Sequence, residues 1–179
     1  MTNKYPEFPK IPRWNRNITI TEKIDGTNAL IFIDPEYNIL AGSRTRWITP
    51  QDDNHGFAKW VKENEEELRA LGPGHHYGEW WGSGIQRGYG LKEKRLSLFN
   101  THRWTFERPA CCHVVPILYE GPMDPDQISQ ALGDLALRGS WAAEGFKQAE
   151  GIMIYHEAAR HSFKITLEKD EAPKGKPTK

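Results

Sequence analysis

Short apolar runs, each followed by a turn signal, recur along this chain and restrict it to folds built largely on β-strands. The runs that predict strands cover residues 18–24, 29–33, 39–41, 76–80, 96–99, 113–119, 151–155 and 162–167. Turn residues such as Asp34, Pro35 and Asn38 separate neighbouring runs, so consecutive strands are expected to pair as hairpins. The sequence therefore predicts an α+β domain with mostly antiparallel sheets and helices on the outside.

Two longer stretches show helical rather than strand periodicity. The first covers residues 56–71, where Asp53 or Asn54 can cap the start and a Gly-Pro-Gly turn forms the end. The second covers residues 125–138, with Asp124 as its N-cap and a proline in its first turn. Both are short enough to flank a sheet, which agrees with the α+β prediction.

The size and composition of the chain suit one domain. A length of 179 residues with 37% hydrophobic residues supports a single core, for which we expect residues 1–168. The polar, basic residues 169–179 are expected to form a flexible tail. No apolar run is long enough to cross a membrane, and the N-terminus lacks the apolar stretch of a secretory signal. The adjacent cysteines, Cys111 and Cys112, suggest no disulfide framework, which favours a reducing, cytoplasmic location.

Charge is balanced over the whole chain but not along it. There are 24 Lys and Arg against 24 Asp and Glu, which argues against a protein that coats nucleic acid by bulk electrostatics. Basic residues nevertheless concentrate in residues 1–23 and 84–108. This distribution predicts a local basic groove, with an ordinary solvated surface as the alternative.

The segment with the clearest chemical content runs from Glu22 to Asn28 and contains a Lys-x-Asp-Gly pattern. Lys23 stands at the end of a predicted strand, just before a turn that contains Gly26. A lysine amine attacks only in its neutral form, which its usual pKa of about 10.4 disfavours at neutral pH, and burial or a neighbouring cation favours that form. The pattern alone is weak, because a surface turn with a solvated Lys23 fits it equally well.

Further candidates follow in chain order, each at a predicted strand end or hairpin. They are Arg44 or Arg46 in Ser-Arg-Thr-Arg, Glu79 in Tyr-Gly-Glu-Trp-Trp-Gly, Phe99 in Leu-Phe-Asn, Glu150 in Glu-Gly-Ile-Met-Ile and Lys164 in Phe-Lys-Ile. Each also has a purely structural interpretation, such as a strand end, a core aromatic residue, a plain turn or a solvated lysine. Their order and common placement favour one shared site over these separate interpretations.

With these segments in this order, residues 18–167 resemble the covalent nucleotidyltransferase superfamily, and within it the ATP-dependent RNA ligases of the RNA-ligase-2 type. The resemblance implies that Lys23 becomes covalently bound to AMP and that Lys164 touches the α-phosphate. The other implied roles are a sugar and phosphate contact from Arg44, ribose contacts from Glu79, base stacking by Phe99, divalent metal binding (Mg²⁺ or Mn²⁺) at Glu150, phosphate or metal-water contacts from Asn28 and a purine contact from Glu22.

The resemblance also implies a reaction in three steps. Lys23 takes AMP from ATP, an RNA 5′-phosphate takes the AMP, and a 3′-hydroxyl attacks that activated phosphate. The implied partners are RNA ends, no membrane is involved, and a monomer is expected. Three alternatives stay open: a DNA ligase or capping-type nucleotidyltransferase, an adenylylating or nucleic-acid-binding module that needs an accessory domain or protein to ligate, and an unrelated α+β binding domain.

The chain departs from the family pattern near its C-terminus. Thr166 stands where the last motif often has a second lysine, so one phosphate contact is either missing or supplied from elsewhere, with Lys169 and the basic tail as the candidates. The chain also ends soon after this motif, which predicts a bare catalytic domain without an OB-fold.

Three cations outside the motifs are further candidates for phosphate contacts. Arg87 lies in a Gly-rich loop and is a candidate contact for pyrophosphate or the RNA 5′-phosphate. Arg13 and Arg16 flank Trp14 and are candidates for gripping a nucleic-acid backbone, with packing of the segment by Trp14 as the alternative.

Overall fold

The computed structural model of the chain describes residues 5–168 and residue 170, and these residues form two β-sheets with three α-helices. The elements are β1 (Asn17–Lys23), β2 (Thr27–Ile33), β3 (Ile39–Gly42), β4 (Trp47–Ile48), α1 (Phe57–Glu63), α2 (Glu65–Leu68), a 3₁₀ turn (Arg69–Leu71), β5 (Gly74–Gly82), β6 (Lys94–Leu98), β7 (Cys112–Val114), β8 (Ile117–Pro122), α3 (Pro125–Arg138), β9 (Gly151–His156) and β10 (His161–Thr166). Apart from Asp170, the predicted tail 169–179 lies outside the described residues.

The predicted α+β class with mostly antiparallel sheets is confirmed. One sheet has four strands in the order β10-β9-β1-β8, and the other has six in the order β4-β3-β2-β5-β6-β7. Every strand pair is antiparallel except β6 with β7. In the described part of the chain, no helix combines the length and apolarity needed to cross a bilayer.

Strand alternation buries one face of each sheet under helices. Ile18 and Ile20 of β1 pack in a core cluster with Leu135 of α3, and Ile31 of β2 packs in another with Phe57 of α1. Because successive side chains point to opposite faces, the intervening residues of β1 and β2 face away from these cores. The uncovered faces carry most of the polar strand residues of the predicted motifs, among them Lys23, Asn28 and Glu79.

The turn between β1 and β2 carries the chain from one sheet to the other. Gly26 lies at this crossing, where an added Cβ would come within 2.4 Å of the main-chain oxygen of Trp80. Only glycine allows β5 to approach the turn so closely. The crossing therefore holds the end of β1 and the start of β2 next to each other, one in each sheet.

The helix predicted over residues 56–71 is interrupted at Asn64. This residue leaves the helical region, at φ −110° and ψ 16°, and its side-chain amide donates to the main-chain oxygen of Trp60 at 2.8 Å. Side chains of this type compete with the helical backbone for hydrogen bonds. At the other end, the N-cap residue is Gly56 instead of the predicted Asp53 or Asn54, although the Asp53 carboxylate accepts the first-turn amides of Ala58 and Lys59 at 2.8 and 3.0 Å.

The single strand predicted over residues 113–119 is wrong, because β7 and β8 divide it between the two sheets. Pro116 lies between them and has no amide to donate to a ladder. The two-residue strand β4 was not predicted, whereas α3 has the predicted bounds, with the Asp124 carboxylate accepting the amide of Asp126 at 2.9 Å.

Candidate functional site

The uncovered faces of the two sheets enclose a cavity of about 1070 Å³. Residues of β1, β9 and β10 line one wall, and residues of β2, β5 and the loop after β6 line the other. The loop after β6 approaches β1, where Nε2 of His102 lies 3.5 Å from Oγ1 of Thr19. The volume is slightly above the range of roughly 300–1,000 Å³ for small-molecule sites.

Lys23 is the last residue of β1 and extends into this cavity. Its side chain is only 19% exposed, and its Nζ donates a hydrogen bond to Oε2 of Glu150 at 2.6 Å. Glu150 is 1% exposed and directly precedes β9, whose first residue, Gly151, pairs with Lys23. Strand pairing between β1 and β9 therefore holds the amine and the carboxylate together, although 127 residues separate them.

Glu79 approaches the same region from the other sheet. It lies on β5 opposite Asn28, and its Oε1 accepts the amide hydrogen of Gly26 at 3.0 Å. Burial raises the pKa of the Glu79 carboxyl to about 7, against the opposing effects of Lys23 and the Gly26 amide, and the charge of Glu150 adds to the rise. Glu79 therefore changes its protonation near neutral pH.

The raised pKa of Glu79 predicts a pH effect on stability. Folding holds a proton on this carboxyl between its ordinary pKa of 4.5 and about 7, so its contribution to the free energy of unfolding falls as pH rises through that window. Glu79→Gln keeps an oxygen acceptor for Gly26 but cannot ionise. Its stability relative to wild type is expected to grow by about 3 kcal/mol from pH 4.5 to 7.5.

Urea unfolding of both proteins across this pH range tests the effect. Glu120→Gln, on an exposed residue of β8, is the matched control and should follow wild type at every pH. Parallel pH profiles for Glu79→Gln and wild type would contradict the prediction.

Four more predicted residues line the cavity: Asn28, Arg44, Phe99 and Lys164. Phe99 is 42% exposed, which leaves one side of its ring open to a ligand. The contacts of the two arginines favour Arg44 over Arg46. The guanidinium of Arg46 forms an ion pair with the Asp52 carboxylate, whereas Arg44 is exposed and lines the cavity.

The side chain of Glu22 lies on the face of β1 opposite Lys23. Its Oε2 accepts the amides of Trp141 and Ala142 at 2.8 and 2.9 Å, and its burial raises the pKa of the carboxyl. This carboxylate fixes the loop after α3. Glu22 nevertheless lines the cavity, and its other oxygen, Oε1, is buried without a hydrogen-bond partner among the described residues, so the purine contact predicted for it stays a prediction.

The three cations outside the motifs are not brought to the cavity. Arg87 is held by the Oδ2 atom of Asp25 at 3.1 Å and by the main-chain oxygen of Gln148 at 3.0 Å. Arg13 and Arg16 are exposed in the segment before β1, about 20 Å along that strand from Lys23. Their phosphate contacts stay predictions, and any RNA that they contact would lie away from the nucleotide.

Thr166 closes a turn where the family motif often has its second lysine. Its hydroxyl donates to the main-chain oxygen of Glu168 at 2.9 Å, and its amide donates to the Asp170 carboxylate at 2.8 Å. Lys169, the proposed replacement, lies outside the described residues.

Tyr89 is a residue of the site that the sequence analysis missed. Its hydroxyl accepts the amide of Asp25 at 2.7 Å, directly after the Lys23 strand, and its ring packs edge-on against Trp81 at 4.9 Å. The side chain is 2% exposed, and burial raises the pKa of its hydroxyl. The one signal in the sequence was the Gly-rich loop around it, in which Tyr89 has a φ of 53°.

The carboxylates near Lys23 suit a metal that arrives with a phosphate ligand. Within residues 5–168 and 170, no group of three or more His, Cys, Asp or Glu side chains could hold a metal ion by itself. Mg²⁺ commonly keeps several waters and uses one or two carboxylates together with substrate phosphates. Glu150, beside the Lys23 amine, fits this requirement.

Comparison with protein families and solved structures gives consistent results. A family model described as RNA ligase matches residues 16–166. A mutant RNA ligase of Naegleria gruberi with AMP and Mn superimposes with a TM-score of 0.60 at 20% identity, over 86% of this chain and 50% of that one. A second mutant of it, with ATP and Mn, gives a TM-score of 0.62 at 20% identity, over 87% and 51% of the two chains.

The same ligase with PPi gives a TM-score of 0.59 at 21% identity, over 85% of this chain and 50% of that one. The present chain thus spans about half the length of these solved proteins. A search of curated protein sequences finds no match. At this level of identity, the superpositions show a shared fold.

Proposed function

The chain belongs to the RNA ligase family, and from this premise we propose that it is an ATP-dependent RNA ligase that forms a covalent lysyl-AMP intermediate on Lys23. The observation that carries the proposal is the Lys23 amine, sheltered in the cavity and 2.6 Å from the buried Glu150 carboxylate. A solvated lysine at a surface turn, the alternative interpretation of the motif, would have neither property.

In the first step, Nζ of Lys23 attacks the α-phosphorus of ATP. A phosphorus–nitrogen bond forms, the bond from the α-phosphorus to the bridging oxygen breaks, and pyrophosphate leaves. The amine attacks in its neutral form and gives up one proton as the phosphorus–nitrogen bond forms, and Oε2 of Glu150 is within hydrogen-bond distance to receive that proton. Reactions of this class depend mainly on in-line positioning and on neutralising charge at phosphorus.

The remaining residues would hold the nucleotide in place. Phe99 would stack on the adenine, Glu79 would accept hydrogen bonds from the ribose hydroxyls, and Arg44 would contact the sugar and phosphate. Lys164 would neutralise charge at the α-phosphate, and Asn28 would orient a phosphate oxygen. All five line the same cavity as Lys23, and together they span both of its walls.

A divalent ion, Mg²⁺ or Mn²⁺, would be held by Glu150 together with phosphate oxygens and water. When bound, it supplies Lewis-acid stabilisation of the charge that develops on the transferring phosphate. Glu150 also keeps the Lys23 amine in place, so this residue would serve both the nucleophile and the metal.

The activated protein would then pass AMP to an RNA 5′-phosphate, and a neighbouring RNA 3′-hydroxyl would attack that phosphate and release AMP. We propose that residues 1–168 do this as a monomer with RNA ends as partners. We also propose that the protein works in the cytoplasm, because Cys111 and Cys112 are free thiols.

Mass spectrometry after incubation with ATP and Mg²⁺ tests the proposal. One AMP per chain is expected, on the peptide that contains Lys23, and a chelator should prevent it. Parallel incubation with GTP, followed by assays on nicked RNA and nicked DNA, separates an RNA ligase from a capping enzyme or a DNA ligase. A protein that stays unmodified under all these conditions would refute the proposal.

A second candidate is a module that takes AMP but needs an accessory domain or protein to join RNA. The fact that this chain spans about half of the solved ligases that it resembles favours keeping this candidate. Formation of lysyl-AMP without sealing of any RNA substrate would identify it.

A further inference from the structure

A row of aromatic rings lies on the uncovered face of the six-stranded sheet. We define this aromatic row as Trp47, Phe32, His75 and Tyr77, which belong to strands β4, β2 and β5. Ring centroids are 6.1 Å apart for Trp47 and Phe32, 4.6 Å for Phe32 and His75, and 6.2 Å for His75 and Tyr77. The rings therefore form a continuous surface that spans the neighbouring strands β4, β3, β2 and β5, with β3 contributing no ring.

The row is open to solvent, although its rings are large and mostly apolar. Trp47 and Tyr77 are 50% and 57% exposed, and Leu40 beside them is 49% exposed. Gly42, opposite Trp47 on β3, leaves room for the indole ring, since an added Cβ would come within 3.3 Å of it. Contiguous exposed apolar surface of this kind marks an interaction site more often than chance.

The aromatic row is continuous with the cavity that contains Lys23. His75 and Tyr77 line that cavity together with Glu79, at alternate positions of β5. Each step of two residues along a strand covers about 7 Å, so the row begins about 7 Å beyond Glu79. Arg44 lines the cavity as well and is exposed to solvent, so a cation accompanies the rings.

We propose that the aromatic row binds single-stranded RNA next to the end that is joined, with successive bases stacked on its rings. This proposal rests on the proposed function, because it assigns a path to the polynucleotide that must reach Lys23. Base stacking on aromatic side chains, with cations near the backbone, is the usual chemistry of single-strand binding. Sheet surfaces that carry exposed aromatic residues bind single-stranded RNA in the same way.

The position of the row favours RNA over a protein partner. Aromatic rings and arginine also occur in protein interfaces, but His75 and Tyr77 of this row line the cavity of Lys23, where the end of a polynucleotide must lie. A single strand fits better than a duplex, because paired bases are already stacked on each other and cannot open onto the rings.

Fluorescence anisotropy with a labelled, 5′-phosphorylated single-stranded RNA, in the absence of ATP, tests the proposal on the full chain. Trp47→Ala is expected to raise Kd roughly tenfold, as for the loss of one base–aromatic stack. Trp47→Phe keeps a ring and should restore most of the affinity. Phe106→Ala, a control at a 96% exposed ring outside the row, should bind like wild type.

Formation of lysyl-AMP without RNA is measured on the same variants. If Trp47→Ala still takes AMP at the wild-type rate but binds RNA weakly, the row has the proposed role whether or not the protein seals RNA. If Trp47→Ala binds RNA like wild type, the proposal is overturned. The same holds if Trp47→Phe fails to restore affinity, or if the only effect is a change of oligomeric state on gel filtration, which would identify a contact between protein copies.

Discussion

Lys23→Ala is expected to abolish the transfer of AMP from ATP to the protein. Among the residues that the structure describes, Lys23 supplies the one amine that is both sheltered in the cavity and held by a buried carboxylate, with its Nζ 2.6 Å from Oε2 of Glu150. Lys164 also lines the cavity, but it is exposed on β10 and has a methionine, Met153, as its partner on β9. Incubation with ATP carrying a labelled α-phosphate measures the effect, and label retained by Lys23→Ala would move the nucleophile elsewhere.

Lys23→Arg is the matched control for charge and packing. Arginine keeps a cation beside Glu150 but stays protonated, so it cannot act as a nucleophile. Both variants should therefore lose AMP transfer. Lys23→Ala removes one partner of a largely buried ion pair and should lose about 3 kcal/mol of stability in urea unfolding, whereas Lys23→Arg should lose less. Equal loss of stability in both variants would show that a cation beside Glu150 does not stabilise the pairing of β1 with β9.

The residues that the sequence singled out converge because of where they stand on their strands. Lys23 ends β1, Asn28 lies near the start of β2, and Glu150 directly precedes β9. Antiparallel pairing places the end of one strand beside the start of the next, so motifs far apart in the chain meet at one edge. Order along the chain and placement at strand ends were therefore enough to predict a shared site.

The direction of individual side chains was harder to predict. Glu22 and Lys23 are neighbours in sequence, yet the pleat of β1 points their side chains to opposite faces. The Glu22 carboxylate binds the loop after α3, a contact that the sequence pattern did not predict. Arg87 was predicted to meet phosphate, but Asp25 in the motif itself already binds its guanidinium. Such pairings depend on contacts between distant segments, and periodicity in one segment contains no information about them.

The exposure of the aromatic row was likewise not predictable from the sequence. Phe32 belongs to an apolar run that reads as a buried strand, and His75 and Tyr77 flank the buried His76 in β5. The alternation of side chains along a strand shows that its two faces differ, but it does not show which of the two faces a helix covers. In this fold, the helix α1 covers the other face of the sheet, which leaves the rings open.

Lys164→Ala is expected to slow the first step, formation of lysyl-AMP, by roughly 10²–10³-fold, the usual effect of removing one preorganised group that stabilises developing charge. On β10, Lys164 pairs with Met153 of β9, which in turn pairs with Thr21, two residues before Lys23 and on the same face of β1. The Lys164 amine would therefore approach an α-phosphate bound at Lys23 from the strand beyond β9. Thr166, which stands where the family pattern often has a second lysine, is uncharged and cannot compensate.

Single-turnover measurement of AMP transfer on Lys164→Ala and Lys164→Arg tests this role. Arginine preserves the positive charge and should recover part of the rate, which a purely structural role for the lysine would not predict. Lys62→Ala, at an exposed lysine of α1, removes the same charge from the other side of the six-stranded sheet and should react at the wild-type rate. An unchanged rate in Lys164→Ala would remove this residue from the mechanism, and charge neutralisation at phosphorus would then fall to Arg44 and the divalent ion.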